Sequence, residues 1–162
     1  METALLIAQA ISLSFLAGWL TIGVAENLWH PELNETYTSE VLDMCRLRND
    51  YPEAYAMVAY RRVTSPRIRK ALFQAIVVWE FLATLAVWIG VIALALAAAG
   101  QIGAETARVL GLLGAMMFTS VWVGFLVAGN WWCYWFGHEG AQVTHFHMTI
   151  WGMINVVFVS AI

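Results

Sequence analysis

Glu80 stands alone in a long apolar run from Ala71 to Ala99, whose only other polar break is Gln74. A carboxyl inside a membrane span costs about 2.5–3.5 kcal/mol near the centre on insertion scales, so its presence points to function by default. Counted from the charged flank of its run, Glu80 is nine residues deep, or roughly 14 Å at ~1.5 Å per residue. The same ruler places Asn155, Ser120 or Thr119, and Ser14 at matching depth in the other three apolar runs. These five residues are therefore expected to form one buried polar layer. Interhelical hydrogen bonds of about 0.6 kcal/mol each would make that layer glue for a bundle. Proton or ligand binding is the sharper alternative, and Glu80 would carry it.

Histidine supplies the second chemistry. His30, His138, His145 and His147 all fall toward one side of the chain, with Cys45, Cys133, Glu139 and Met148. Imidazole with thiolate or thioether suits copper, and His with Cys suits zinc. The pair His145-x-His147 chelates in an extended segment, but on a helix its rings diverge, because residues i and i+2 do not share a face. No C-x-x-C or H-E-x-x-H motif is present, so interfacial histidines without a metal are the reading adopted. Haem bridging two helices is weaker, since the first three apolar runs hold no His. The two cysteines permit one disulfide, Cys45 to Cys133, if their side is the oxidising one; free thiols are the alternative. The cluster Trp131-Trp132-Cys133-Tyr134-Trp135-Phe136 would stack on a quinone or pigment. It is read instead as an interfacial aromatic belt where the third apolar run ends.

These residues need elements to position them, and the composition says which. Of 162 residues, 61% are apolar and 12% charged, against 45–50% and about 25% in soluble domains. That excludes a soluble enzyme and a disordered tail. A net charge of −3 offers no basic field for nucleic acid. Four apolar runs, at about 4–25, 71–99, 109–128 and 145–162, approach or exceed the roughly 20 residues that cross a hydrocarbon core. The first run is too long, and its flank too acidic at Glu2, for a cleaved signal peptide. Alternation suited to a β-barrel is absent. The expected fold is an all-α membrane protein: a four-helix transmembrane bundle in one domain.

Fourteen charged residues sit between Glu26 and Lys70, in the large polar loop joining the first two spans. Ser39 is expected to cap a short helix running to about Arg48. Asp50-Tyr51-Pro52-Glu53 reads as a second start, with Asp50 as N-cap, continuing to Val63. Thr64-Ser65-Pro66 stops it. Two short amphipathic helices on the bilayer or over the bundle mouth follow. Gly100 to Arg108 is a tight turn, which makes spans two and three antiparallel neighbours. Gly111 with Ala115, and Gly124 with Ala128, give small-residue spacings that allow close helix contact.

Several of these segments together resemble a family of predicted small integral membrane proteins, domain of unknown function 2165. They are the Asn27 region, the stretch from Met44 to Arg62 leading to Thr64-Ser65-Pro66, Glu80, and Gly129-Asn130-Trp131-Trp132. The resemblance covers nearly the whole chain and implies a four-helix protein of the bacterial inner membrane, without an assigned activity. It also implies that both termini are cytoplasmic. Lys and Arg number seven on the large-loop side and one on the other, which by the positive-inside rule puts the large loop in the cytoplasm instead. The chain departs from its relatives in the Gly100 turn, where Arg108 is the one basic residue.

With no catalytic motif, the sequence leans away from an enzyme. The leading expectation is an accessory or scaffold subunit of a larger membrane assembly, respiratory or photosynthetic, partnered by other membrane proteins or by itself within the lipid bilayer. The alternative is a small transporter, or a redox or quinone-linked membrane protein, that uses Glu80.

Overall fold

The computed structural model describes residues 1–161, and among them the chain is helical with no strand. Four long helices have the length and hydropathy to cross a membrane: α1 (Glu2–Trp29), α5 (Pro66–Ala98), α6 (Ala104–Trp131) and α7 (Glu139–Ser160). Between α1 and α5 run the short helices α2 (Pro31–Leu42), α3 (Cys45–Asp50) and α4 (Pro52–Val58). A 3-10 turn at Ala59–Arg61 follows them, and another at Tyr134–Phe136 joins α6 to α7. The all-α membrane bundle is the observed fold. Residue 162, the end of the expected fourth span, lies outside the described residues.

Every spanning helix extends past its apolar run at the large-loop end, because charge at the interface does not break a helix. Proline and glycine do. All three prolines open helices, at Pro31, Pro52 and Pro66, where the fixed φ fits and the missing N–H costs nothing. Pro31 therefore starts α2 directly after α1, eight residues ahead of the expected start at Ser39, which lies inside that helix. Asp50, expected as an N-cap, is the last residue of α3; Tyr51 takes the cap position without a side-chain bond. The helix from Pro52 tightens into its 3-10 turn after Val58 rather than continuing to Val63. Met44 separates α2 from α3 in the left-handed region (φ 52), and its nearly complete burial offsets that strain.

The turn between α5 and α6 is shorter than expected, residues 99–103. Gly100 (φ 74) closes α5, with Gln101 N–H bonding Leu96 O at 2.9 Å and Gly100 N–H bonding Ala97 O at 2.9 Å. That pair of bonds is a Schellman cap. The helices pack in the order α1, α5, α6, α7 around a core that includes Leu13, Leu16, Val87, Leu94 and Phe118. Gly111 and Ala115 are spent inside this packing: a Cβ on Gly90 would lie 2.8 Å from the Gly111 Cα. Gly124 has open space where a side chain would stand, and Ala128 is exposed.

Candidate functional site: a cavity under the α2 roof

Three helices turn one face each toward a common space at the large-loop end of the bundle. Their lining residues recur at i, i+3 or i+4, and i+7, the spacing of a single helix face. On α1 these are Trp19, Ile22, Gly23 and Glu26; on α5, Phe73, Ile76 and Glu80; on α6, Trp122, Phe125 and Gly129. α2 covers the loop end with Asn34, Tyr37, Thr38 and Val41, and α7 contributes His145. The cavity is about 580 Å³, within the size range of small-molecule sites, which pair apolar walls with a few placed polar groups.

The polar groups converge on Glu80. Asn34 Nδ2 donates to Asn27 Oδ1 at 2.7 Å, and Asn27 Nδ2 donates to Glu80 Oε2 at 2.7 Å. Thr84 Oγ1 bonds the Glu80 carbonyl one turn on. Glu80 is 9% exposed, and the side-chain hydrogen bond it accepts among the described residues goes to Oε2, not Oε1. Asn27 as the partner of Glu80 was missed by counting depth, because Asn27 lies beyond the apolar run of α1. The absence of any helix breaker before Pro31 was the available signal.

The expected single polar layer does not link up among the described residues. Asn155 Oδ1 accepts from Ser12 at 2.8 Å rather than from Ser14, whose hydroxyl bonds the Ile11 carbonyl. Thr119 bonds its own helix at Ala115 O, and Ser120 accepts from Trp79 Nε1 at 3.2 Å. Depth along a helix fixes the rise and leaves the azimuth open. Gln9, fully buried and donating to Phe158 O at 3.0 Å, is a further polar contact that depth counting overlooked.

These contacts of Gln9 and Ser12 hold α1 to α7 toward the end away from the large loop, and the edge-on pair Trp19–Trp151 at 6.3 Å joins them nearer the middle. Loopward of that pair the cavity lies between the two helices. Trp19 and Ile22 line it while remaining 46% and 72% exposed, which places a lateral opening toward lipid there.

Aromatic residues form the opposite wall. His145 stacks on Phe125 at 4.8 Å and on Tyr134 at 5.9 Å, with Tyr134 Oη 3.4 Å from His145 Nδ1. Tyr134 was expected in the interfacial belt, yet it is 4% exposed. Gly129 makes room for it, since a Cβ there would stand 2.7 Å from the tyrosine ring. Burial, with a smaller contribution from Tyr37, pushes the Tyr134 phenol up to about 12, so it stays a neutral hydroxyl. Trp131 and Trp135 do face outward, and Trp132 Nε1 donates to Arg61 O at 2.9 Å.

The four histidines share one end of the molecule without meeting. His30 is exposed beside Glu32 at 3.9 Å, His147 is exposed, and His145 and His138 point into separate surroundings. Among the described residues no group of three or more His, Cys, Asp or Glu is placed to hold a metal ion. Cys45 and Cys133 are both free thiols, and the Cys45 thiol is raised by burial and by Glu40 and Asp43.

Ion pairs fasten the α2 roof. Asp43 receives Arg62 at 2.9 Å, Arg69 at 2.8 Å and Arg48 at 3.4 Å. Arg46 bridges Glu40 and the Gly137 carbonyl, 3.2 and 2.8 Å away. His138 is buried edge-on to Tyr37, with Glu40 Oε2 3.6 Å from Nε2, too long for a hydrogen bond. Desolvation, then Arg46, outweighs Glu40 and the Tyr134 carbonyl and holds the His138 imidazole below its usual range. An unfolded histidine takes its proton near pH ~6.5, while the folded one resists it. This contribution to stability is therefore present above that pH and is lost as pH falls below it. Melting temperature should drop between pH 7 and 5, and H138Q should flatten that slope; an unchanged slope would exclude His138 as its source.

A family model described as a predicted small integral membrane protein (DUF2165) matches residues 5–161. No curated protein and no solved structure matches the chain. The chain belongs to that family.

Proposed function

We propose that this member of the DUF2165 family binds a small lipophilic molecule within the membrane, as a small transporter or a redox or quinone-linked protein would. The observation that carries the reading is the cavity itself, apolar and aromatic on its walls, with the Asn34–Asn27–Glu80 chain ending inside it. A buried carboxyl used only as glue would meet a neighbouring helix on both oxygens. Here Oε1 is left over, and the lateral opening beside Ile22 gives a lipid-borne molecule a way in.

Gly23 offers a clean test, because it lines the cavity and a Cβ there meets nothing within 4 Å. Native mass spectrometry of protein extracted in mild detergent should show a small-molecule adduct. G23W should lose that adduct while keeping its elution profile, because its side chain starts from a Cβ with open space around it at the cavity wall. A bare mass for the unaltered protein, with no small molecule in its organic extract, would sink the proposal.

The accessory-subunit reading has one observation of its own. Gly124 has open space beside it among the described residues and Ala128, one turn on at the cavity edge, is exposed; such small-residue spacings let a neighbouring helix approach closely. The same spectrum reports a protein companion if there is one. For location, we propose the bacterial inner membrane, which the family resemblance supports.

A further inference from the structure

Resting on the ligand-binding reading above, we infer that the cavity takes a lipophilic cation, an organic ion whose positive charge is shielded by apolar or aromatic groups. The charged residues on its wall are both acids: Glu80 inside and Glu26 at the rim. No Lys or Arg lines it among the described residues.

Five nearby arginines are committed elsewhere, and Lys70 lines a separate groove with Glu32, Glu35 and Glu40. Arg48, Arg62 and Arg69 converge on Asp43; Arg46 holds Glu40 and the Gly137 carbonyl. Arg61 lies over the Trp131 ring at 4.5 Å, outside the cavity. A space walled in hydrocarbon with two carboxyl groups, and with His145 as its one basic side chain but no Lys or Arg, favours positive charge and rejects negative charge.

The walls suit the rest of such an ion. Trp19, Tyr37, Trp122, Phe125, Trp132 and Tyr134 all contribute to the lining. Aromatic faces attract cations most strongly when both are desolvated. Asn27 occupies Glu80 Oε2 and, through Asn34, is itself fixed in orientation. That leaves Oε1 as the free oxygen to face the charge. An ion of this class partitions into the bilayer, so the opening between α1 and α7 is its route in.

The experiment uses the full chain in a neutral detergent and two probes of the same shape and opposite charge, tetraphenylphosphonium and tetraphenylborate. Decylubiquinone serves as a neutral ring-bearing third. Binding is read by isothermal titration and by quenching of tryptophan fluorescence. Tetraphenylphosphonium should bind at least 10-fold more tightly than tetraphenylborate. E80Q should weaken it at least 10-fold, and G23W should abolish it. E26Q, on an exposed rim position whose loss does not threaten folding, should weaken it 2- to 5-fold. Equal or tighter binding of tetraphenylborate would overturn the inference. So would tetraphenylphosphonium affinity unchanged in both E80Q and E26Q. Decylubiquinone binding that G23W removes, without tetraphenylphosphonium binding, would overturn the cation and leave the cavity as a ligand site. Binding of no probe, together with a bare native mass, would overturn both.

Discussion

Replacing Gly90 by leucine should abolish the folded, monodisperse protein, whereas leucine at Gly18 should leave it intact. The contrast comes from what surrounds each position. A Cβ at Gly90 would sit 2.8 Å from the Gly111 Cα, 2.9 Å from Leu13 Cδ2 and 3.1 Å from the Leu110 carbonyl. Two of those three atoms are backbone, which cannot swing aside as a side chain can. α5 and α6 touch main chain to main chain here, and again at Gly114, whose Cβ would meet the Ala86 carbonyl at 2.9 Å. Overpacking a well-filled core costs about 1–3 kcal/mol, sometimes more. A whole leucine wedged between two backbones belongs at or beyond the upper end of that range. The loss would spread to α1, because Leu13 is part of the same contact. Gly18 meets nothing within 4 Å and should gain a little from higher helix propensity. Fluorescence-detected size exclusion after a heating series reads both variants. A G90L peak that survives heating as well as the unaltered protein's would refute this packing.

That contact shows what the sequence could and could not convey. Segregated charge located all four spans, since a run of about 20 apolar residues has few other uses. Gly111 and Ala115 declared a close-packing face through their spacing. Their partner Gly90 gave no such signal, being a lone glycine in an apolar helix. Rotation about each helix axis was the missing coordinate. Glu80, Asn155, Ser120 and Ser14 share a depth, yet Asn155 reaches Ser12 and Glu80 reaches Asn27, because two residues along a helix turn the side chain by about 200°. The same coordinate hid the cavity. Its walls are ordinary apolar helix faces, distinguished only by what stands opposite. Tyr134 read as one more ring in an interfacial belt, and only Gly129, five residues before it, marked the place where it folds inward.

Replacing Asp43 by alanine should have the second large effect, and it should appear in the roof before the bundle. Asp43 is 16% exposed and accepts from three guanidiniums, with Arg62 tying it to the segment after the 3-10 turn and Arg69 to the first turns of α5. A backbone bond from Val63 N–H to the Leu42 carbonyl, 2.9 Å, closes the same junction. Without the carboxylate, three positive groups face one another with no counter-charge. Breaking a fully buried pair costs about 3–5 kcal/mol. Arg48 and Arg62 keep about a third of their side-chain surface in water, at 35% and 31%, so screening leaves them a small share. The loss rests on the Asp43–Arg69 pair, 16% and 15% exposed, at about 2 kcal/mol after its own partial exposure is discounted. Most of that acts on the local attachment of α2, α3 and α4, since the spanning helices keep their own core. Trypsin reports such local opening, because cleavage follows the population of the open form when closing is fast. Cutting at Arg46, Arg48, Arg61 or Arg62 should accelerate by on the order of 30-fold in D43A, a factor that about 2 kcal/mol supplies. R48A removes the longest of the three contacts, 3.4 Å, and should change the rate less than about fivefold. D43N keeps an acceptor but no charge and should fall between them. If D43A resists trypsin like the unaltered protein, the roof is held by its apolar contacts, Leu42, Met44 and Leu47, and the charges on Asp43 are incidental to it.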